Sequence, residues 1–241
     1  MQTICEQILT DTLYYRQIPV LTYRIAYPAF TTTCNPAAAQ RINEMYAAEA
    51  KEAQAYCRTA LFADAAEQVR YFPAASSFPS YQWLLSYTVT LNQGCVTSLF
   101  LEQYSYTGGA HGNTVRTSDT WDFKTGARFS LSDFPETLSP DIRFQDAGLL
   151  NLSWRSHLFQ AIEGQIQNRL SETPGSFFDE YPALLRQTFR PDSFYLVPAG
   201  IVFYYQPYDI APYAAGIPEF FFSLPELSLP EPQAGFYGHR L

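Results

Sequence analysis

The stretch NPAAAQRINEMYAAEAKEAQAYCRTALFADAAEQV, residues 35–69, predicts one long helix around which the first half of the chain is organised. Asn35 is a good N-cap, and Pro36 suits the first helical position because the N–H that proline lacks has no partner there. The apolar residues that recur at helical spacing are Ile42, Met45, Ala53, Tyr56, Ala60 and Leu61. The pattern continues to about Val69, and the prolines at 73 and 79 end it.

Strands are predicted on both sides of this helix, because the flanking segments alternate loosely and are rich in Ile, Leu, Thr and Tyr. They cover residues 3–14, 20–27, 81–91 and 95–106. Pro19 separates the first two, since proline cannot donate to a ladder. Asn92-Gln93-Gly94 turns the last two into a hairpin, because Asn and Gly tolerate positive φ.

The second half of the chain predicts a mixture of strands and shorter helices. Ser153 is a candidate cap for a helix whose buried face is Leu158, Ile162, Ile166 and Leu170. The other predicted elements are a strand at 114–123, a turn at 124–126, a helix at 178–189, a hairpin at 193–197 and 201–205, and a strand at 220–224. The tail from Pro225, which is rich in proline, is expected to be loosely attached.

These elements predict an α+β fold, with antiparallel sheets packed against two to three helices. Strands and helices do not alternate regularly, which disfavours a doubly wound parallel sheet. No flexible linker or internal repeat is present, so two intimately packed subdomains are expected. We place the N-terminal subdomain at residues 1–106 and the C-terminal one at residues 107–241.

The composition favours a folded protein with an acidic surface. Acidic residues number 23 against 15 basic ones, for a net charge of −8. No run of Lys or Arg occurs, and the only lysines are Lys51 and Lys124, which argues against nucleic acid as a partner. The negative charge would steer a basic partner toward the chain, or it serves solubility alone.

Apolar runs and the first twenty residues bear on where the protein is located. No stretch of ~18 apolar residues predicts a membrane span. The first twenty residues contain Glu6 and Asp11 and lack the pattern of a signal peptide. A chain complete from Met1 favours the cytoplasm, while a removed leader would leave an extracytoplasmic location open.

Four cysteines, Cys5, Cys34, Cys57 and Cys95, allow three disulfide pairings. None lies in a C-x-x-C motif or at zinc-ligand spacing from a histidine, so no metal site and no cofactor are predicted. In a chain of this size, buried free thiols are the favoured interpretation.

The segment Gly108-Gly109-Ala110-His111-Gly112-Asn113 is the most unusual in the chain. A phosphate-binding loop would need a following helix and a lysine or hydroxyl, and a strand is predicted here instead. His111 as an acid/base would need a nearby carboxylate, for which Asp119 and Asp122 are the candidates. The favoured interpretation is structural, with Gly108, Gly109, His111, Gly112 and Asn113 forming a tight turn.

A tyrosine-rich loop offers the best candidate binding residues. Between residues 204 and 213 lie four tyrosines and two prolines. Rigid aromatic loops can anchor proteins or stack on sugars, and equally they can plug a small core. The candidate binding residues are Tyr204, Tyr205, Tyr208, Asp209 and Tyr213.

Several of these segments together resemble one domain family. They are YTGGAHG at 106–112, WDFKTG at 121–126, LSDF at 131–134 and GIVFYYQPYDIAPYAAG at 200–216. The chain from residue 107 resembles the C-terminal extracytoplasmic domain of RsiV-type anti-sigma factors, the lysozyme-receptor group. The region before it resembles the companion domain that also accompanies some peptidoglycan deacetylases.

The resemblance implies a binding module without a catalytic domain. We expect a non-catalytic, soluble recognition module of bacterial origin that binds a basic protein such as a lysozyme, or a cell-wall glycan. One alternative is a small envelope-associated hydrolase that uses His111 with Asp119 or Asp122. Another is a cytoplasmic binding protein with an unrelated partner.

Overall fold

The computed structural model describes residues 1–72, 77–131 and 147–223. The chain divides into two compact units. The first comprises Met1–Thr117 and Trp121–Ala127, and the second comprises Ser118–Thr120 and the chain from Arg128 on. The boundary that the sequence suggests, between residues 106 and 107, stays a prediction.

A six-stranded sheet, in which the strands follow one another in sequence order, dominates the first unit. Its strands are β1 (Thr3–Tyr15), β2 (Ile18–Thr31), β3 (Tyr81–Gln93), β4 (Val96–Tyr106), β5 (Asn113–Asp122) and β6 (Ala127–Arg128). β1 pairs with β2, and β3 with β4, in antiparallel fashion. β2 and β3 are parallel, because the helical segment between them returns the chain to the end of the sheet at which β2 began. The sheet is therefore mixed, where the sequence suggested antiparallel pairing throughout.

The predicted long helix is confirmed, with one interruption. It consists of α1 (Pro36–Tyr56), a π turn (Cys57–Leu61), α2 (Phe62–Gln68) and a 3-10 turn (Val69–Tyr71). The Asn35 side chain caps α1 as predicted, since its Oδ1 accepts the N–H of Ala37 at 3.1 Å and of Ala38 at 3.3 Å. Tyr56, which the apolar pattern assigned to the buried face, is half exposed.

The helical segment packs on the sheet through two hydrophobic clusters. In one, Leu61 and Val69 contact the buried residues of β2 together with Trp83. In the other, Tyr46 packs with Trp121, whose indole N–H donates to the Tyr46 hydroxyl at 2.8 Å. Burial of these apolar and aromatic side chains stabilises the unit.

The cysteine prediction is wrong for three of the four residues. Cys34 and Cys95 form a disulfide, with their Cα atoms 5.9 Å apart, and Cys5 is exposed. The pair forms because the chain before α1 meets the β3–β4 turn, a contact that cysteine spacing does not reveal. Cys57 is free and buried as predicted, and burial raises the pKa of its thiol to about 11.

The second unit joins helices to a small antiparallel sheet. Its elements are α3 (Ala147–Glu172), α4 (Tyr181–Gln187), β7 (Phe194–Val197), β8 (Gly200–Tyr204) and β9 (Glu219–Ser223). Ser153 is not the cap of α3, because the residues before it are already helical. The predicted buried face is confirmed at Leu158, Ile162 and Ile166.

Together these elements confirm the α+β class, with sheets that are mostly antiparallel. The helices that the structure describes include none long and apolar enough to cross a membrane. Two features quoted from the sequence lie outside the described residues. They are residues 132–134 of the LSDF segment and the tail from Pro225.

Candidate functional site

The tyrosine-rich loop separates into a buried and an exposed part. Tyr204 and Tyr205 are buried in the second unit. The Tyr204 hydroxyl lies 3.1 Å from the Ser118 hydroxyl, and the Tyr205 hydroxyl donates to the carbonyl of Leu185 at 3.0 Å. Burial raises the pKa of Tyr205 above its usual range. These two tyrosines form core contacts and do not present their rings to a partner.

Tyr208 points the other way, with 52% of its surface exposed. It is the third residue of the turn Gln206-Pro207-Tyr208-Asp209 and has a φ of +69°. Proline second and positive φ third is the pattern of a type II turn, in which glycine is the usual third residue. A tyrosine in this conformation is a real backbone outlier.

Hydrogen bonds at both ends of this turn hold Tyr208 in place. The Asp209 N–H donates to the Gln206 carbonyl at 3.1 Å. In return, the Gln206 N–H donates to the Asp209 carboxylate at 2.9 Å. Partial burial raises the pKa of Asp209, an effect that this hydrogen bond and the nearby Arg190 oppose. The carboxylate therefore acts as a cap of the turn.

The Tyr208 ring stacks on the ring of Tyr213. The ring centroids are 5.7 Å apart and the planes differ by 27°. Tyr213 is half-buried and begins a 3-10 turn, Tyr213–Ala215. We call Tyr208 and Tyr213 the tyrosine platform. It is a preformed aromatic surface that a strained but hydrogen-bonded turn holds in position.

The glycine-rich segment is a turn between β4 and β5. Gly108 and Gly109 have φ values of +99° and +93°, which residues with a Cβ rarely adopt. Gly112 is buried against the ring of Tyr104, where a Cβ would overlap the ring. The exposed His111 ring places Nδ1 2.8 Å from the carbonyl of Gly112. The positive φ values and the close approach of Tyr104 explain why glycine occupies these three positions.

The carboxylates of the hydrolase hypothesis are engaged in local structure. Asp119 is buried and forms an ion pair with Arg128 at 2.8 Å. Asp122 accepts the N–H of Lys124 at 2.8 Å and the hydroxyl of Thr125 at 3.0 Å, so it closes the turn that follows β5. Across the described part of the chain, no cluster of three or more His, Cys, Asp or Glu residues is placed to hold a metal ion.

A groove in the first unit was missed by the sequence analysis. It has a volume of about 460 Å³. Its polar and aromatic lining residues are Glu49, Glu52, Tyr56, Trp83, Gln103, Ser105 and Thr107. We call it the acidic groove.

Helix and strand geometry explain how these residues meet. Glu49, Glu52 and Tyr56 are spaced by three and four positions, so they share one face of α1. Gln103 and Ser105 are two positions apart and therefore lie on one face of β4. Trp83 is the register partner of Ser105. The i, i+3, i+7 spacing of two acids and a tyrosine was the available sequence signal, but Tyr56 was assigned to the core.

The charge of the acidic groove is one-sided. Its lining contains two glutamates and no basic residue. At 3.6 residues per turn, Lys51 and Arg58 lie on the opposite side of the helical segment. Arg58 forms an ion pair with Asp11 at 2.6 Å. The π turn begins directly after Tyr56, and such turns are frequent at functional sites.

Comparison with known families divides the chain in the same order as the resemblance did. Residues 17–114 match a family described as deacetylase PdaC, and residues 149–224 match a protein family of unknown function, DUF3298. The chain thus contains a region similar to the PdaC family, followed by a region similar to the DUF3298 family. The acidic groove lies within the first match, and the tyrosine platform lies within the second. No curated protein matches the chain.

Solved structures show the same fold over nearly the whole length. A DUF3298 family member from Bacteroides fragilis NCTC 9343 has 20% identity and a TM-score of 0.56, covering 98% of this chain and 96% of that one. A DUF3298 family protein from Pseudomonas aeruginosa PAO1 has 18% identity and a TM-score of 0.52, covering 95% and 97%. At these identities the likeness defines the fold alone. Neither description names an anti-sigma factor, so that part of the resemblance stays a prediction.

Proposed function

We propose that this chain is a non-catalytic recognition module that binds a basic partner protein, with the tyrosine platform as its anchor. The observation that carries the proposal is the conformation of Tyr208, a half-exposed aromatic residue at positive φ whose ring stacks on Tyr213. Folding alone would favour glycine at this position of the turn.

Strain of this kind supports a binding role because it persists only where the surrounding structure enforces it. The Gln206–Asp209 hydrogen bonds provide that enforcement. A tyrosine that is already ordered loses little conformational entropy when a partner covers it. Tyrosine is also among the residues that dominate binding energy at protein interfaces.

Two features support a basic partner. The net charge of −8 raises the local concentration of cationic proteins at low salt. In the first unit, the acidic groove combines Glu49 and Glu52 with the Tyr56 ring, a set that suits lysine or arginine side chains. The resemblance to RsiV-type domains makes a lysozyme the basic protein to test first.

A cell-wall glycan is the second candidate, because the stacked pair of tyrosine rings also suits the flat face of a sugar. The hydrolase hypothesis has less support, since Asp119 and Asp122 are engaged in local structure.

Calorimetric titration of the full chain with a lysozyme, at low and at moderate salt, tests the proposal. We expect saturable binding that weakens as salt rises, because salt screens exposed charges. A parallel titration uses a soluble, uncharged wall-type oligosaccharide. Binding of the sugar alone, independent of salt, would replace the basic protein by a glycan. Absence of both would contradict the proposal.

A further inference from the structure

The β1–β2 turn is built from residues that its geometry disfavours. Tyr15 pairs with Ile18, which leaves Arg16 and Gln17 as a two-residue loop. Their φ values are +49° and +69°. Positive φ at both central residues defines a type I′ turn, in which Asn-Gly is the preferred sequence. The chain keeps two long side chains at a place where folding favours small ones.

Two guanidinium groups converge on one ring beside this turn. The Arg16 Cζ lies 5.2 Å from the centroid of the Tyr15 ring, and the Arg70 Cζ lies 5.5 Å from it. Arg70 also donates to the Tyr15 hydroxyl at 3.1 Å. It comes from the 3-10 turn after α2, so helix and hairpin each supply one cation. Attraction to the aromatic ring holds each group against Tyr15.

Five other arginines form ion pairs with acidic residues, whereas Arg16 and Arg70 have no such pair among the described residues. Ion pairs join Arg24 to Glu6, Arg58 to Asp11, Arg116 to Glu102, Arg128 to Asp119 and Arg186 to Glu163. Within residues 1–72, 77–131 and 147–223, neither Arg16 nor Arg70 has a carboxylate within the 4.0 Å of an ion pair. Acids outnumber bases in this chain, so two neighbouring cations without an acid are unexpected. Their mutual repulsion would be relieved by a bound anion.

Exposed aromatic residues adjoin the two arginines in the chain. Tyr71 is 74% exposed and follows Arg70, while Tyr14 is 60% exposed and precedes Tyr15, on the other face of β1. Exposed rings of this size usually mark a contact surface when they occur together. The segment at Arg70 and Tyr71 therefore combines a cationic and an aromatic group, which suits a ligand that joins an anionic group to an apolar part.

We propose that Arg16 and Arg70 form an oxyanion-binding site at the β1–β2 tip, which takes a phosphate group carried by a larger, partly apolar molecule. The guanidinium fork matches phosphate oxygens and retains its charge at any physiological pH. The Tyr15 ring contacts both guanidinium groups, and its hydroxyl accepts a hydrogen bond from Arg70. The site is independent of the proposed binding of a basic partner, since it has the opposite charge preference.

The test uses the full chain and two sources of phosphate. Inorganic phosphate is titrated into protein carrying ¹⁵N-labelled arginine, and the Nε–Hε resonances are followed by NMR. In a second arm, the protein is sedimented with vesicles of anionic phospholipid or of zwitterionic phosphatidylcholine. The variants are Arg70→Gln and the double change Arg16→Asn with Gln17→Gly, which restores the preferred turn sequence. Arg24→Gln removes one exposed arginine elsewhere and is the matched control.

We expect saturable shifts at Arg16 and Arg70, and an affinity about tenfold weaker in each tip variant, because each loses a charge-assisted hydrogen-bonding group. Arg24→Gln should bind as the wild type does. Additional sedimentation with anionic vesicles, dependent on both arginines, would identify lipid as the source. Saturable phosphate binding without it would identify a non-lipid phosphate. Shifts that do not saturate, or that weaken equally in Arg24→Gln, would overturn the proposal, provided that the melting temperatures show all variants folded.

Discussion

The β4–β5 turn and the Gln206–Asp209 turn both require left-handed backbone, but they meet that requirement in opposite ways. The first uses Gly108 and Gly109, which adopt positive φ without steric cost. The second uses Tyr208, which does not. The sequence of the first turn therefore suits its backbone conformation, while the second turn retains a side chain at a cost in stability. The difference teaches that glycines at positive φ are explained by the backbone alone, while a tyrosine at positive φ calls for a further reason, for which we propose recognition.

The largest change in stability is expected when the β4–β5 turn is disrupted. Changing both Gly108 and Gly109 to alanine should lower the free energy of unfolding by roughly 2–4 kcal/mol, because each Cβ is forced into left-handed backbone at about 1–2 kcal/mol. Chemical denaturation measures this loss. Partner binding should persist in the folded fraction. A loss below about 0.5 kcal/mol would show that the turn relaxes easily and would remove the structural role assigned to the glycines.

The next largest change in stability is expected at Cys57 in the π turn, where burial of the thiol and not the backbone angle φ is the cause. Burial raises the pKa of the Cys57 thiol from 9.0 to about 11, so the folded state holds this proton more tightly than the unfolded state. The contribution is complete below pH 9 and is lost as the pH rises toward 11, by up to about 2–3 kcal/mol. Urea denaturation between pH 8 and 11 should show a shallower decline for Cys57→Ala than for the wild type. Parallel declines would contradict the assignment.

A smaller effect isolates the strain at Tyr208. Tyr208→Gly and Tyr208→Ala both remove the ring, but only glycine also relieves the backbone. The glycine variant should be more stable than the alanine variant by about 1 kcal/mol, as thermal denaturation can measure. Equal stabilities would mean that the positive φ carries no cost, and the comparison between the two turns would fail.

The smallest effect is expected for His111→Ala. Because the ring is exposed, the change in stability should stay within about 0.5 kcal/mol. Binding of a basic partner should be unchanged. Loss of a measurable hydrolytic activity, with the fold intact, would revive the hydrolase hypothesis.

Much of the fold follows from local sequence signals. Asn35-Pro36 predicts the start of α1, and period-2 patterns predict most strands, because capping and alternation depend on neighbouring residues. The parallel pairing of β2 with β3 and the Cys34–Cys95 disulfide were missed, since both depend on contacts between distant segments. The early start of α3 was missed because Ser153, a good cap, lies within the helix.

The candidate site was foreseen only in part. The density of tyrosines identified the loop, but composition could not separate the buried Tyr205 from the exposed Tyr208. Burial there is decided by the path of the chain after β8. The acidic groove needed the packing of α1 against β3 and β4, which brings Tyr56 and Trp83 to one surface. A residue pattern on one helix does not reveal what faces it.

Titration of a lysozyme against wild-type protein, Tyr208→Gly and Tyr14→Ala tests the central claim most directly. Tyr14→Ala removes another exposed tyrosine, from the first unit, and serves as the matched control. We predict that Tyr208→Gly weakens binding at least tenfold without a lower melting temperature, and that Tyr14→Ala binds as the wild type does. Unchanged binding by Tyr208→Gly would contradict the account, because the strained tyrosine would then have no role in recognition.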